Sequence, residues 1–114
     1  VYLTFNNDSG ANYSYQYLAF QGTSVSADNA TEQTHTWKIA ECGAGGIGMG
    51  FGFILAEIAE VRRCYLFAGC PTHCDISASS WNNSTDNITS IQVTQPSGAY
   101  IGAGTKVWLF KLTL

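Results

Sequence analysis

The chain has few charged side chains. Of its 114 residues, 11% are charged and 46% are hydrophobic, and the net charge is −3. The five basic residues are scattered, and only Arg62 and Arg63 are adjacent. A protein that binds the phosphates of a nucleic acid needs a patch or stripe of lysine and arginine. The composition therefore excludes a nucleic acid as an expected partner.

The sequence also lacks an apolar run long enough to span a bilayer. Its most apolar stretch, residues 50–59, contains Glu57 and is followed by Glu60 and two arginines, whereas a spanning helix needs about 20 apolar residues. No membrane partner is expected. No signal peptide opens the sequence, and Val1 is not an initiator methionine, which leaves open a leader or a domain upstream.

The residues that usually cover helix surfaces are scarce. Glycine (12 residues), serine, threonine and asparagine are abundant instead, and these small residues suit turns and strand edges better than helices. A length of 114 residues is typical of one domain with its own core. We therefore predict a single all-β domain over residues 1–114.

Alternation of apolar and polar residues predicts about eight strands. The predicted strands are residues 1–5, 11–20, 34–40, 51–58, 62–68 and 75–81, and two more within residues 88–114, at 88–93 and 106–111. The predicted loops are residues 6–10, 22–32, 43–52 and 82–87. Short strands at this spacing favour an antiparallel β-sandwich with a jelly-roll-like arrangement.

Two local assignments have alternatives. Residues 51–61 (FGFILAEIAEV) contain good helix formers at helical spacing, although Phe51, Phe53 and Leu55 on one face favour a strand. The turn at residues 6–10 either closes a hairpin between the first two strands or carries the chain to a second sheet.

Motifs for cofactor binding and catalysis are weak. Residues 43–48 (GAGGIG) match the spacing of a dinucleotide fingerprint, but no strand–helix–strand unit surrounds them. We expect these glycines to serve flexibility or close packing. Neither His35 nor His73 has an acidic residue at a spacing that would pair the two for acid–base catalysis. Cys42 could act as a nucleophile with one of these histidines, but nothing in the sequence places such a pair together. We predict no catalytic residue and no cofactor.

Three of the four cysteines lie close together in the sequence. With one histidine they supply three sulfurs and a nitrogen, the ligand types of a tetrahedral zinc site: Cys64, Cys70, His73 and Cys74. The order Cys-x5-Cys-x2-His-Cys is not a usual zinc spacing, so these residues are zinc candidates and no metal is predicted. Disulfides among the cysteines, including one to Cys42, and plain thiols are the alternatives.

A surface glycan is a further alternative partner. Six Asn-x-Ser/Thr sequons begin at Asn7, Asn12, Asn29, Asn82, Asn83 and Asn87, although a β protein rich in these residues produces sequons by chance. Several aromatic side chains could form a platform on which a sugar ring stacks. They are Tyr2, Tyr13, Tyr15, Tyr17, Trp37, Trp81, Tyr100 and Trp108. Core packing explains most of them.

Four stretches of the chain carry a resemblance to a known family. They are residues 3–15 (LTFNNDSGANYSY), Glu57-Ile58 at the end of a middle strand, WNNS at 81–84 with ITSIQV at 88–93, and residues 96–109 (PSGAYIGAGTKVWL). In this order they resemble tailed-bacteriophage virion proteins, the jelly-roll-like domains of head decoration proteins, head fibres and tail-associated proteins. The chain departs from the family pattern at residues 60–79 and 110–114.

The resemblance implies a non-enzymatic component of the virion, on the surface of the capsid or tail. Its expected role is a capsid decoration (cement) or tail-associated subunit that contacts major capsid or tail proteins. A low-charge β surface also favours contact between copies, so we expect a homo-oligomer, with a trimer as the expected state, joined through residues 43–50 or a strand edge. The alternative is a carbohydrate- or receptor-binding module on a phage fibre or tail tip.

Overall fold

The protein is all-β, as predicted. The computed structural model describes residues 1–41, 46–57, 59–95 and 101–112, and these residues form no helix. Their seven strands are β1 (Tyr2–Phe5), β2 (Tyr13–Gln21), β3 (Ser24–Gln33), β4 (Met49–Leu55), β5 (Arg62–Cys70), β6 (His73–Trp81) and β7 (Ile91–Thr94). Within the described ranges there is accordingly no helix of the length and apolarity that a membrane span requires.

The strands form two antiparallel sheets. β1 pairs with β7 in a small sheet, and the large sheet has the order β3-β2-β6-β5-β4. β1 and β2 therefore lie in different sheets, so the turn at residues 6–10 carries the chain between sheets and does not close a hairpin. Asn6 and Asn7 in this turn have φ angles of 53° and 57°, a region that asparagine adopts more readily than most residues.

The core lies between the small sheet and one face of the large sheet, which we call the inner face. Its buried side chains come from β1, β2, β5 and β6: Leu3, Phe5, Tyr13, Cys64, Leu66 and Trp81. Residues 34–41, the crossing segment, run along β1: Thr36 N donates to Leu3 O at 3.0 Å and Ile39 N donates to Val1 O at 2.8 Å. Trp37 N donates to Ser79 Oγ on β6 at 3.0 Å, so the segment bridges the two sheets.

Two assignments from the sequence, one loop and one strand, are wrong. Residues 22–32, predicted to be a loop, lie mostly in β3, an edge strand with almost every residue exposed, so no apolar alternation marks it. Gly22, at a φ of 59°, begins the two-residue turn that joins β2 to β3. Residues 34–40, predicted to be a strand, form bends. Their alternation reflects packing of the crossing segment on the core.

The region around β4 and the last quarter of the chain also differ from the predictions. The helix alternative for residues 51–61 is wrong, because residues 51–55 pair with β5. Of the two strands predicted within residues 88–114, the first (88–93) forms in part, as β7 at Ile91–Thr94, whereas residues 106–111 belong to no strand.

A carboxylate at the edge of the core binds the buried indole. Trp81 Nε1 donates to Asp8 Oδ2 at 2.7 Å, and Asp8 also accepts hydrogen bonds from Gly10 N at 2.8 Å and Asn12 Nδ2 at 3.0 Å. Desolvation raises the pKa of Asp8, but the hydrogen bonds from Trp81, Asn12 and Gly10 together lower it further, so the net pKa lies below its ordinary value of 3.8. The folded structure therefore favours the ionised carboxylate.

This pKa shift predicts a pH-dependent contribution to stability. Because the pKa of Asp8 is lower in the folded chain, its stabilising effect is complete above the ordinary value of 3.8 and is lost as the pH falls through the folded pKa. We expect Asp8→Asn to be less stable than wild type near neutral pH, with a gap that closes in acid. Urea unfolding from about pH 7 to about pH 2 measures both proteins. A gap that stays constant would contradict the prediction.

Candidate functional site

The second face of the large sheet, the outer face, is uncovered in the described chain. Because side chains alternate across a sheet, the residues of β4 that point away from the core share this face with their neighbours on β5 and β6. In β4 these outward residues are between 53% and 76% exposed: Met49, Phe51, Phe53 and Leu55. The largest apolar side chains of this strand therefore face outward.

The strand register makes this apolar surface continuous. Phe51 lies opposite Phe67, Phe67 opposite Ile76, and Ile76 opposite Leu18. The rings of Phe51 and Phe67 stack with centroids 4.8 Å apart and an angle of 10°, and Phe51 meets Phe53 edge-on at 6.3 Å. A row of apolar side chains thus runs from β4 across four strands to β2.

Glycines explain why β4 presents its aromatic residues outward. A Cβ at Gly50 would lie 1.5 Å from Ile39 O in the crossing segment, and a Cβ at Gly52 would lie 2.7 Å from Tyr65 O on β5. Only glycine fits these inward positions without a shift of the neighbouring backbone. The alternation Gly-Phe-Gly-Phe at residues 50–53 is the signal from which this face could have been predicted.

β4 is also an edge strand. In the described chain it pairs with β5 and with no other strand, so its second edge presents backbone N–H and C=O groups without a partner strand. An exposed edge beside an apolar face is a template for pairing with a further strand.

A second exposed apolar feature is the arm, residues 106–112 (KVWLFKL). Within the described chain it belongs to no strand and makes no hydrogen bond. Its apolar side chains are between 66% and 81% exposed: Val107, Trp108, Leu109, Phe110 and Leu112. The sequence predicts a strand here, and the part of the chain that the structure describes offers that strand no partner.

The four zinc candidates do not converge on one point. Cys64 is buried on the inner face, Cys74 is exposed on the opposite face, and Cys70 Sγ lies 3.7 Å from Thr72 Oγ1. No three of the four meet within ligand distance among the described residues, and His73 groups with two carboxylates instead. Because Cys64 and Cys74 are free thiols, no disulfide joins the cysteines of residues 64–74. Cys42 lies outside the described residues.

The two free thiols are expected to differ in reactivity. Burial raises the pKa of Cys64 to about 12, so its sulfur stays protonated and unreactive at neutral pH, whereas Cys74 is exposed. In dilute solution we expect iodoacetamide to modify Cys74 in the folded protein and Cys64 only after unfolding. Peptide mapping by mass spectrometry measures both sites. Equal rates in the folded protein would contradict the assignment.

Most aromatic residues considered for a sugar platform belong to the core or pack within or against the crossing segment. Tyr13 and Trp81 are buried, and Tyr17 stacks on Trp37 with centroids 3.8 Å apart and an angle of 5°. Trp108 belongs to the arm, and Tyr100 lies outside the described residues. The exposed rings of the outer face are instead mainly phenylalanines, among them Phe51 and Phe53, which the sequence places on one face of a strand but not in a sugar platform.

The glycine stretch falls partly outside the described residues. Of residues 43–50, only 46–50 are described, and the last two begin β4. A strand, not a helix, therefore follows the GAGGIG pattern, so the helix N-terminus of a dinucleotide site does not form there.

Comparisons with known proteins give no relative. No protein family, no curated protein and no solved structure matches the chain. Inference about function therefore depends on the residues and their geometry.

Proposed function

We propose that the chain is a structural subunit that assembles with further copies of itself, as a component of a tailed-bacteriophage virion. The observation that carries the proposal is the uncovered outer face, whose outward residues in β4 are all more than half exposed. Large contiguous apolar patches on a protein surface commonly mark interaction sites, because burial of apolar area is stabilising by roughly 25 cal/mol per Å².

A second copy of the chain offers a partner to both exposed features. Among the described residues, the arm has the sequence of a strand but no partner strand, and β4 has an unpaired edge beside an apolar face. The arm of one copy pairs with the β4 edge of the next, which satisfies backbone groups on both and covers apolar side chains. Charges favour this contact: exposed Lys106 and Lys111 belong to the arm, and exposed Glu57 and Glu60 follow β4.

This contact has consequences for symmetry and fold. An arm that meets a different surface on the next copy makes a heterologous contact, which closes into a ring when the rotation allows it. The proposed ring is a trimer. Each copy is a jelly-roll-like β-sandwich, in which the neighbour's arm adds an eighth strand to the seven described.

The virion assignment is supported by the sequence resemblance. The proposed role is a capsid decoration or tail-associated subunit on the virion surface, which acts through contact with major capsid or tail proteins and not through catalysis. Immunogold electron microscopy of purified particles, from the phage that encodes this chain, tests the role. We expect antibodies against the chain to label the particle surface. Particles without label, but with unassembled protein in the lysate, would contradict this role.

The carbohydrate- or receptor-binding alternative has less support. Phe51 and Phe53 have no polar atom, and their neighbours across the strands are Phe67 and Tyr65, which add one hydroxyl. A sugar site combines stacking rings with several placed hydrogen-bonding groups. The outer face is therefore better suited to a protein than to a glycan.

Sedimentation velocity of the full chain tests the assembly. We expect a discrete species whose mass is three times 12.3 kDa and which dissociates on dilution. A single stable monomer at micromolar concentration would contradict the proposed function.

A further inference from the structure

A histidine and two carboxylates converge where the crossing segment meets the start of β6. His73 Nε2 lies 3.0 Å from Asp75 Oδ2 and 3.1 Å from Glu41 Oε2. His73 and Asp75 are two residues apart on β6, so their side chains share the inner face, and Glu41 is the last residue of the crossing segment. Their ligand atoms all lie within 4.8 Å of one another.

The spacing and the atom types fit a metal ion. One imidazole nitrogen and two carboxylate oxygens are suitable ligands for Zn²⁺ and for similar divalent transition-metal ions. With metal–ligand distances of about 2.1 Å, neighbouring ligand atoms lie about 3.0 Å apart at right angles and about 3.4 Å apart in a tetrahedron. The two distances from His73 Nε2, 3.0 and 3.1 Å, match those of ligand atoms at right angles around one ion.

Asp75 provides an independent indication of a ligand. Its exposure is 0%, and its Oδ1 has no hydrogen-bond partner among the described residues. An unpaired polar atom in a buried site costs free energy. Its partners across the strands are Ala19 and Ala68, whose side chains carry no hydrogen-bonding group. A bound cation would compensate this buried group.

Lys38 provides the only lysine or arginine charge near this group among the described residues. Lys38 Nζ lies 2.6 Å from Glu41 Oε2 but 4.0 Å from Asp75 Oδ2, so it forms a hydrogen bond with Glu41 alone. The ammonium also lies 5.0 Å from the ring centroid of Trp37. Because a lysine side chain is long and flexible, Lys38 can move towards that ring or towards solvent when an ion enters.

We propose that Glu41, His73 and Asp75 bind one divalent transition-metal ion of the zinc type, in competition with the Lys38 ammonium. The ion ties the crossing segment to β6 and so stabilises the packing of that segment on the large sheet. This site shares only His73 with the four zinc candidates of the sequence, and it does not depend on the proposed assembly.

Isothermal titration of the full chain with Zn²⁺ tests the site, together with thermal unfolding with and without Zn²⁺. We expect one ion per chain and a Tm that rises with Zn²⁺ concentration, as mass action requires. His73→Gln and Glu41→Gln should each weaken binding by at least about tenfold. Far-UV circular dichroism identifies any variant that does not fold. No binding up to about 1 mM Zn²⁺ would overturn the proposal.

Two kinds of control separate this site from the alternatives. Lys38→Gln removes the competing ammonium, so it should strengthen Zn²⁺ binding severalfold, whereas in a purely ionic network it would only destabilise the fold. Cys74→Ser and His35→Gln remove other zinc-binding side chains and should leave the affinity unchanged. Loss of binding in Cys74→Ser with full binding in His73→Gln would overturn the assignment, and so would weaker binding in Lys38→Gln.

Discussion

Serine at both Phe51 and Phe53 is expected to convert the assembled protein into folded monomers. Both side chains are more than half exposed in the single chain, so their loss removes little burial from the domain itself. At the centre of an interface, truncation of each aromatic anchor costs about 2 kcal/mol or more. Two such losses raise the dissociation constant by about a thousandfold. Sedimentation velocity measures the assembly, and urea unfolding measures the stability of the domain.

Val25→Ser is the matched control for this double variant. Val25 is 63% exposed and shares the outer face, but it belongs to β3 at the opposite edge, about 19 Å from β4 at four strand spacings. We expect Val25→Ser to leave the oligomer intact. An oligomer that persists in the Phe51/Phe53 variant would contradict the proposed interface. A variant that is unfolded would contradict the expectation that these side chains add little to the stability of the domain.

Alanine at Trp81 is expected to lower the free energy of unfolding by about 3–5 kcal/mol, a large part of the stability of an ordinary domain. Trp81 is 1% exposed, and its ring centroid lies 5.6 Å from that of Phe5. It pairs with Tyr13 on β2 and with Arg62 on β5. Its loss therefore leaves a cavity where three strands of the large sheet meet β1.

Trp81→Phe separates ring packing from the hydrogen bond. Phenylalanine keeps much of the aromatic volume but removes the donor that binds Asp8 Oδ2 at 2.7 Å, so we expect a smaller loss of about 1–3 kcal/mol. Urea unfolding followed by far-UV circular dichroism compares both variants without dependence on indole fluorescence. Equal losses for alanine and phenylalanine would contradict a packing role for the ring.

Strands whose residues alternate in polarity could be predicted from the sequence, and the strand without such alternation could not. β5 shows the alternation that one-sided burial produces, with Cys64 and Leu66 pointing inward. In β6 the alternation is inverted, because Ser77 and Ser79 are buried and Ile76 is exposed. β3 is exposed on both faces, so no pattern marks it. In the crossing segment, Thr36 is buried without a regular strand ladder, so alternation alone gave the wrong element.

The candidate sites depend on contacts between distant residues. The sequence predicts a strand edge as an interface and a strand in the arm, but only the sheet order shows that β4 is an edge and that its aromatic residues lie on the uncovered face. His73 is a metal candidate in the sequence because cysteines lie near it. Its partner Glu41 is far away in the chain, and only the fold brings the two together at 3.1 Å.

Hydrogen–deuterium exchange of the arm tests the proposed assembly most directly. It is measured above and below the concentration at which the oligomer dissociates. In the assembly we expect the backbone amides of residues 106–112 and of β4 to be protected, because they pair between copies. On dilution the arm should exchange at the rate of an unstructured chain, while β2 and β6 stay protected. Fast exchange of the arm at both concentrations would contradict the account.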